Sequence, residues 1–74
     1  MPTSEQLKSR KELGRKLLQA REKAGLTQVE LAKKAGINDN YYARVERAEV
    51  SPTLEKFEKI VKALGVKSSK ILNF

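Results

Sequence analysis

Apolar residues recur at three- and four-residue spacing along almost the whole chain, and no stretch alternates apolar and polar positions as a half-buried strand does. The spacing predicts a first helix from about Thr3 or Ser4, with Leu7, Leu13, Leu17, Ala20 and Ala24 on one broad face and Gly25 as its stop. Thr3 and Gln6 stand at capping-box spacing. Gly14 interrupts this helix at a cost of roughly 1 kcal/mol relative to alanine, so it is expected to permit a close approach or mark a bend. Thr27 and Glu30 form a second capping box, after which Leu31, Ala32 and Ala35 face inward and Gly36 breaks the helix. A third helix follows the N-cap Asn38, with Tyr42 and Val45 inward beside Ile37 from the turn. After the loop Ser51-Pro52-Thr53, a fourth helix carries Leu54, Phe57, Ile60, Val61 and Leu64 as a core stripe and is closed by Gly65. A last short turn, from about Ser68, holds Ile71, Leu72 and Phe74. The expected architecture is an all-α, compact five-helix bundle forming a single domain over residues 1–74.

Length limits what such a bundle can do. At 74 residues a domain buries only about 60% of its unfolded surface, so the core is thin and encloses little beyond itself. Cysteine and histidine are both absent. This removes disulfides, thiolate metal sites, the usual general base and the nucleophilic pairs built on histidine. No phosphate-binding glycine loop is present. An enzyme is therefore disfavoured, and no cofactor, metal or small-molecule ligand is implied.

Charge changes the picture more. Sixteen Lys and Arg against 9 Asp and Glu give a formal net charge of +7. Such an excess aids solubility, but it also suits a polyanionic partner, nucleic acid above an anionic membrane. No run approaches the roughly 20 apolar residues of a membrane span, and the N-terminus lacks the apolar core of a signal peptide. A cytoplasmic protein without membrane contact is expected, nucleoid-associated when bound to DNA.

The stretch TQVELAKKAGINDNYYARVE, residues 27–46, carries the chemistry. Two short helices joined by a glycine turn suggest a helix-turn-helix. Its packing needs a small side chain where the helices cross, supplied by Ala32, and a positive φ four residues later, supplied by Gly36. It then needs apolar groups inserted beneath the first helix, supplied by Tyr42 and Val45. Asn40 and Arg44 lie one turn apart on the outer face of the second helix. Asparagine can pair two ways with adenine and arginine with guanine in the major groove. Asp39 can accept from cytosine or simply stabilise the helix N-terminus, and Tyr41 can reach the backbone or edge the core. Lys33, Lys34 and Arg47 are candidates for phosphates, or ordinary solvated charges.

With these residues in place, the chain resembles the phage repressor and Cro type of helix-turn-helix family, which includes restriction–modification controller proteins. The likeness covers Leu13 to about Leu72, on LGRKLLQAREKAGLTQVELAKKAGI and then YYARVERAEVSPTLEKFEKIVKALGV. The resemblance implies a five-helix, lambda repressor-like domain that binds DNA sequence-specifically as a dimer. Position by position, Gln28 is similar to the family's helix-start glutamine, so it is expected to contact a phosphate or a base edge where it would otherwise be an ordinary exposed glutamine. Asn38, Asp39, Asn40 and Arg44 occupy its base-reading face, and Arg21 with Glu46 resembles its internal ion pair. Three residues depart from the pattern. Ala48 stands where glycine usually ends the third helix, Tyr42 stands where an aliphatic residue is usual, and Asp39 puts an acid on a face meant for phosphates.

The expected function is that of a sequence-specific, double-stranded DNA-binding transcriptional regulator, with a recognition helix over about 39–47 in the major groove. Homodimerisation through Val66, Ile71, Leu72 and Phe74 is expected, because three large apolar residues near the end of a short chain exceed what a small core covers. The alternative is a protein-interaction module on the same fold, such as an antitoxin or a transcription coactivator.

Overall fold

Each of the four described helices begins where a side-chain oxygen satisfies an orphan backbone N–H. Thr3, Thr27, Asn38 and Thr53 accept from the N–H of Gln6, Glu30, Tyr41 and Lys56, at 3.0–3.2 Å. At Thr3 and Thr27 the box is reciprocal, with Gln6 and Glu30 reaching back to the cap N–H at 2.9 Å each. The starts so fixed are those of α1 (Ser4–Lys23), α2 (Gln28–Ala35), α3 (Asp39–Glu46) and α4 (Leu54–Leu64). The computed structural model describes residues 2–67 and 71, and among them there are four helices and no strand. The expected count of five is therefore not reached. Of the last turn only Ile71 falls among the described residues, in helical conformation, and one residue makes no element.

Tyr42, Leu17, Leu31, Ile60 and Val45 are the largest fully buried side chains, joined by Ala32, Phe57, Val61, Ala63, Leu64 and Ile71. Contacts run α1 to α3, α2 to α3 and α2 to α4, so α3 is held from two sides and presents its remaining face to solvent. Three apolar positions expected to face inward do not, among them Ala24, exposed at the C-cap of α1. Leu7 is 41% exposed and Leu54 72%. Leu7 lies in the second turn of a helix of 20 residues, about 30 Å long, which is the full long dimension of 31 Å. Its first turns outrun the elements that would cover them. Leu54 opens α4, and a helical side chain covers the turn before its own Cα, which for the first residue is loop. Ile71, expected at a dimer interface, is only 3% exposed within the single chain and belongs to its core.

The helix-turn-helix corner is closed by backbone bonds. After α2, Gly36 takes the left-handed conformation (φ 73°), and the Ile37 N–H returns to the Ala32 carbonyl at 3.0 Å. The chain leaves α3 by the same route. The Ala48 N–H donates to the Val45 carbonyl at 3.1 Å and the Glu49 N–H to the Arg44 carbonyl at 2.9 Å, a Schellman arrangement. Here, however, the left-handed residue is Ala48, at φ 65°, so the helix ends as a glycine would end it and the alanine bears the strain. A left-handed alanine costs roughly 1–2 kcal/mol, part of which glycine would return through its looser unfolded chain. Ala48→Gly is thus expected to stabilise the fold by about 0.5–1 kcal/mol, read as a higher urea midpoint. A lower midpoint would mean the turn is not strained.

Candidate nucleic-acid interface

The exposed face of α3 carries Asp39, Asn40 and Arg44, with Arg47 exposed at its C-cap. Asn40 and Arg44 are both exposed and one turn apart, while Asp39 sits in the first turn, where its charge complements the helix dipole. Asn38 is exposed at the N-cap of α3. Its Oδ1 is the cap acceptor for the Tyr41 N–H, and its amide donors take no part in that bond. Lys33 and Lys34 are exposed on the last turn of α2.

Arg44 and Arg47 share one carboxylate. Glu49 Oε2 accepts from Arg47 Nε at 2.6 Å and Glu49 Oε1 from Arg44 Nε at 3.4 Å. The hydrogen bond from Arg47 holds the Glu49 carboxyl below its ordinary range. All three side chains are about half exposed, so these pairs are weak in water and readily exchanged for another anion. Glu49 carried no sequence signal. Only the left-handed turn at Ala48 brings it back beside a residue five positions earlier.

Behind this face lies a part-buried polar cluster. Arg21 Nε donates to Glu46 Oε2 at 2.7 Å and Arg21 Nη2 to Glu46 Oε1 at 3.2 Å, a two-bond fork. Arg21 Nη1 also donates to the Leu26 carbonyl at 2.8 Å. The side chains are 13% and 5% exposed. Gln28 Nε2 donates to Glu46 Oε1 at 2.9 Å, so the side-chain donor expected to meet DNA is committed inside the protein. The carboxylate fixes the orientation of that amide and leaves the Gln28 backbone N–H, one of the orphans of α2, as its outward donor. Burial alone would raise the Glu46 pKa, but the hydrogen bonds from Arg21 and Gln28, with the Tyr42 hydroxyl close by, outweigh it and the carboxyl lies below its ordinary value.

The Tyr42 hydroxyl is buried against the same cluster. Burial first, and the Glu46 carboxylate second, raise its pKa well beyond the ordinary tyrosine range. It forms no well-aligned hydrogen bond, so its tie to Glu46 is an electrostatic contact. Oε1 already accepts two bonds and Oε2 one, and a carboxylate offers about four lone-pair sites. Tyr41, by contrast, is half-buried at the edge of the core, and Lys56 of α4 places its ammonium 4.3 Å from the centre of the Tyr41 ring. Lys56 went unnoticed in the sequence because it stands 15 residues from Tyr41 and belongs to another helix.

A family profile described as helix-turn-helix matches residues 17–71. The immunity repressor protein of Bacillus phage phi105 is 37% identical to this chain over 60 residues, a stretch that covers 81% of the chain and 42% of the relative. The chain thus spans less than half the length of that phage protein.

Proposed function

The chain belongs to the phage repressor and Cro type of helix-turn-helix family, and from that premise we propose that residues 1–74 act as one DNA-binding domain of a transcriptional regulator, of the repressor kind. Its activity is binding, with no catalytic step. The observation that carries this reading is the outward face of α3, where Asp39, Asn40 and Arg44 stand together on a helix fixed from behind by Glu46. The N-terminal half of α3 would enter the major groove, Asn40 and Arg44 reading bases. The Gln28 backbone N–H, at the start of α2, would meet a phosphate. Arg47 and Lys33 would contact phosphates and set register, not sequence. On meeting DNA, Arg44 exchanges Glu49 for a base edge.

No described helix is long and apolar enough to cross a membrane; a DNA-binding role would place the protein in the cytoplasm, on the nucleoid when bound. A homodimer would use Val66, which is half-buried beside α4, with Leu72 and Phe74, both outside the described residues. The protein-interaction reading has less support, since it leaves the polar set on α3 without a use.

Selection of bound sequences from a random duplex pool tests these points together. The expected product is a site with two half-sites about 34–36 Å apart, or a multiple of that spacing. Arg44→Ala should cost about 1–3 kcal/mol and relax one position in each half-site, whereas Lys34→Ala should at most weaken all duplexes alike. An unchanged preference in Arg44→Ala would remove α3 from the groove. A single unpaired half-site would remove the dimer.

A further inference from the structure

Lys56 sits in the first turn of α4, where a cation adds to the positive end of the helix dipole and is unfavourable without a nearby negative partner. The acidic residue beside it, Glu55, is engaged by Lys59 at 3.5 Å, one turn along. What Lys56 meets instead is the negative face of the Tyr41 ring, 4.3 Å from its centroid. Tyr41 itself is in the first turn of α3, next to Asn40, its N–H held by the Asn38 cap and its ring packed against the core. The ring therefore stands between the core and the ammonium. It occupies one side of that group, and because Lys56 is only half-buried and an ammonium has three donors, donors remain for a further partner.

We propose that Lys56, held on the Tyr41 ring, is a phosphate clamp that grips the DNA backbone beside the N-terminal end of α3, an inference that rests on the DNA-binding reading above. A recognition helix that enters the groove N-terminus first brings that end near the phosphates lining the groove. A lysine ordinarily loses much side-chain freedom on gripping an anion. Lys56 is already placed by the ring, so less is lost on binding. Lys33 and Lys34 have no such support. Tyr41 is accordingly a positioning residue, acting through Lys56.

The number of phosphates neutralised is read from how affinity falls with salt, with a slope near 0.9 per contact on duplex DNA. The probe is a short random-sequence duplex, since a phosphate grip does not depend on sequence. Lys56→Gln in the full chain should lower the slope by about 0.9 and weaken binding several-fold, while leaving the thermal midpoint and the sequence chosen from a random pool unchanged. Lys56→Arg keeps both charge and ring contact and should retain the slope. Tyr41→Phe should behave as the parent protein does, and Tyr41→Leu should weaken binding as Lys56→Gln does. The combined Tyr41→Leu, Lys56→Gln protein should lose little more than either single variant. If the parent protein binds duplex and Lys56→Gln leaves the slope unaltered, the clamp is refuted and the DNA-binding reading stands. If the parent protein shows no salt-dependent duplex binding, both fall.

Discussion

Arg21→Ala is expected to destabilise the protein by about 3 kcal/mol or more, even without DNA, because it leaves a carboxylate that is 5% exposed with Gln28 as its one remaining well-formed hydrogen bond. The converse change should cost less. In Glu46→Gln an acceptor oxygen remains, and the guanidinium keeps its bond to the Leu26 carbonyl. Removing both charges, as in Arg21→Met with Glu46→Leu, should restore part of the loss, since the expense lies in the stranded ion. Acid should act in the same direction. The Glu46 carboxyl has a folded pKa below its ordinary 4.5, so its share of stability is complete above that value and is lost as pH falls through the lower folded one. The parent protein should therefore weaken across that acidic window, and Glu46→Gln should lack this part of the decline. Urea titrations at neutral and acid pH measure both effects. A cost below ~1 kcal/mol for Arg21→Ala, the range of an exposed pair, would show that the fork contributes little in solution.

Gly14→Ala is expected to cost about 2–3 kcal/mol, although alanine is the better helix former by roughly 1 kcal/mol. The reason is the approach of α1 to the end of α3. A Cβ on Gly14 would overlap the Glu46 carbonyl oxygen, and it would lie 3.0 Å from both the Glu46 carbonyl carbon and the Val45 carbonyl oxygen. These are backbone atoms of the last turn of α3, so no side-chain rotation relieves the contact and α1 must back away. Backing away would also stretch the Arg21–Glu46 fork, two turns further along the same face of α1. Against a total stability of ~5–15 kcal/mol for an ordinary domain, the loss is large. It should appear as a lower urea midpoint, together with weaker duplex binding as α3 shifts. A variant as stable as the parent protein would mean that the two helices are not in tight contact.

The two variants disturb one seam, and that seam shows where reading the chain residue by residue stops. Starts and stops of helices were legible because they depend on neighbours three to five residues away. Thr3, Thr27, Asn38 and Thr53 cap as their spacing implies, and Gly36 turns the chain between α2 and α3. The core faces of α2 and α3 followed from apolar periodicity alone. The inner face of α1 followed only in part. Of the apolar stripe through Leu7, Leu13, Leu17, Ala20 and Ala24, the middle three do meet the core, yet the line that meets α3 and the loop after it runs through Arg10, Gly14, Leu17 and Arg21. Arg10 reaches Ser51 at 3.1 Å, and Arg21 reaches Glu46. A pattern search for apolar residues passes over a helix face built from two arginines and a glycine, because those residues are explained by what lies opposite them. The same holds across the interface. Asn40 and Arg44 could be placed from their one-turn spacing. The capture of the Gln28 amide by Glu46, the sharing of Glu49 by two arginines and the seating of Lys56 on Tyr41 depend on how the helices stand against one another, since local periodicity places a side chain on a face but only packing supplies its partner.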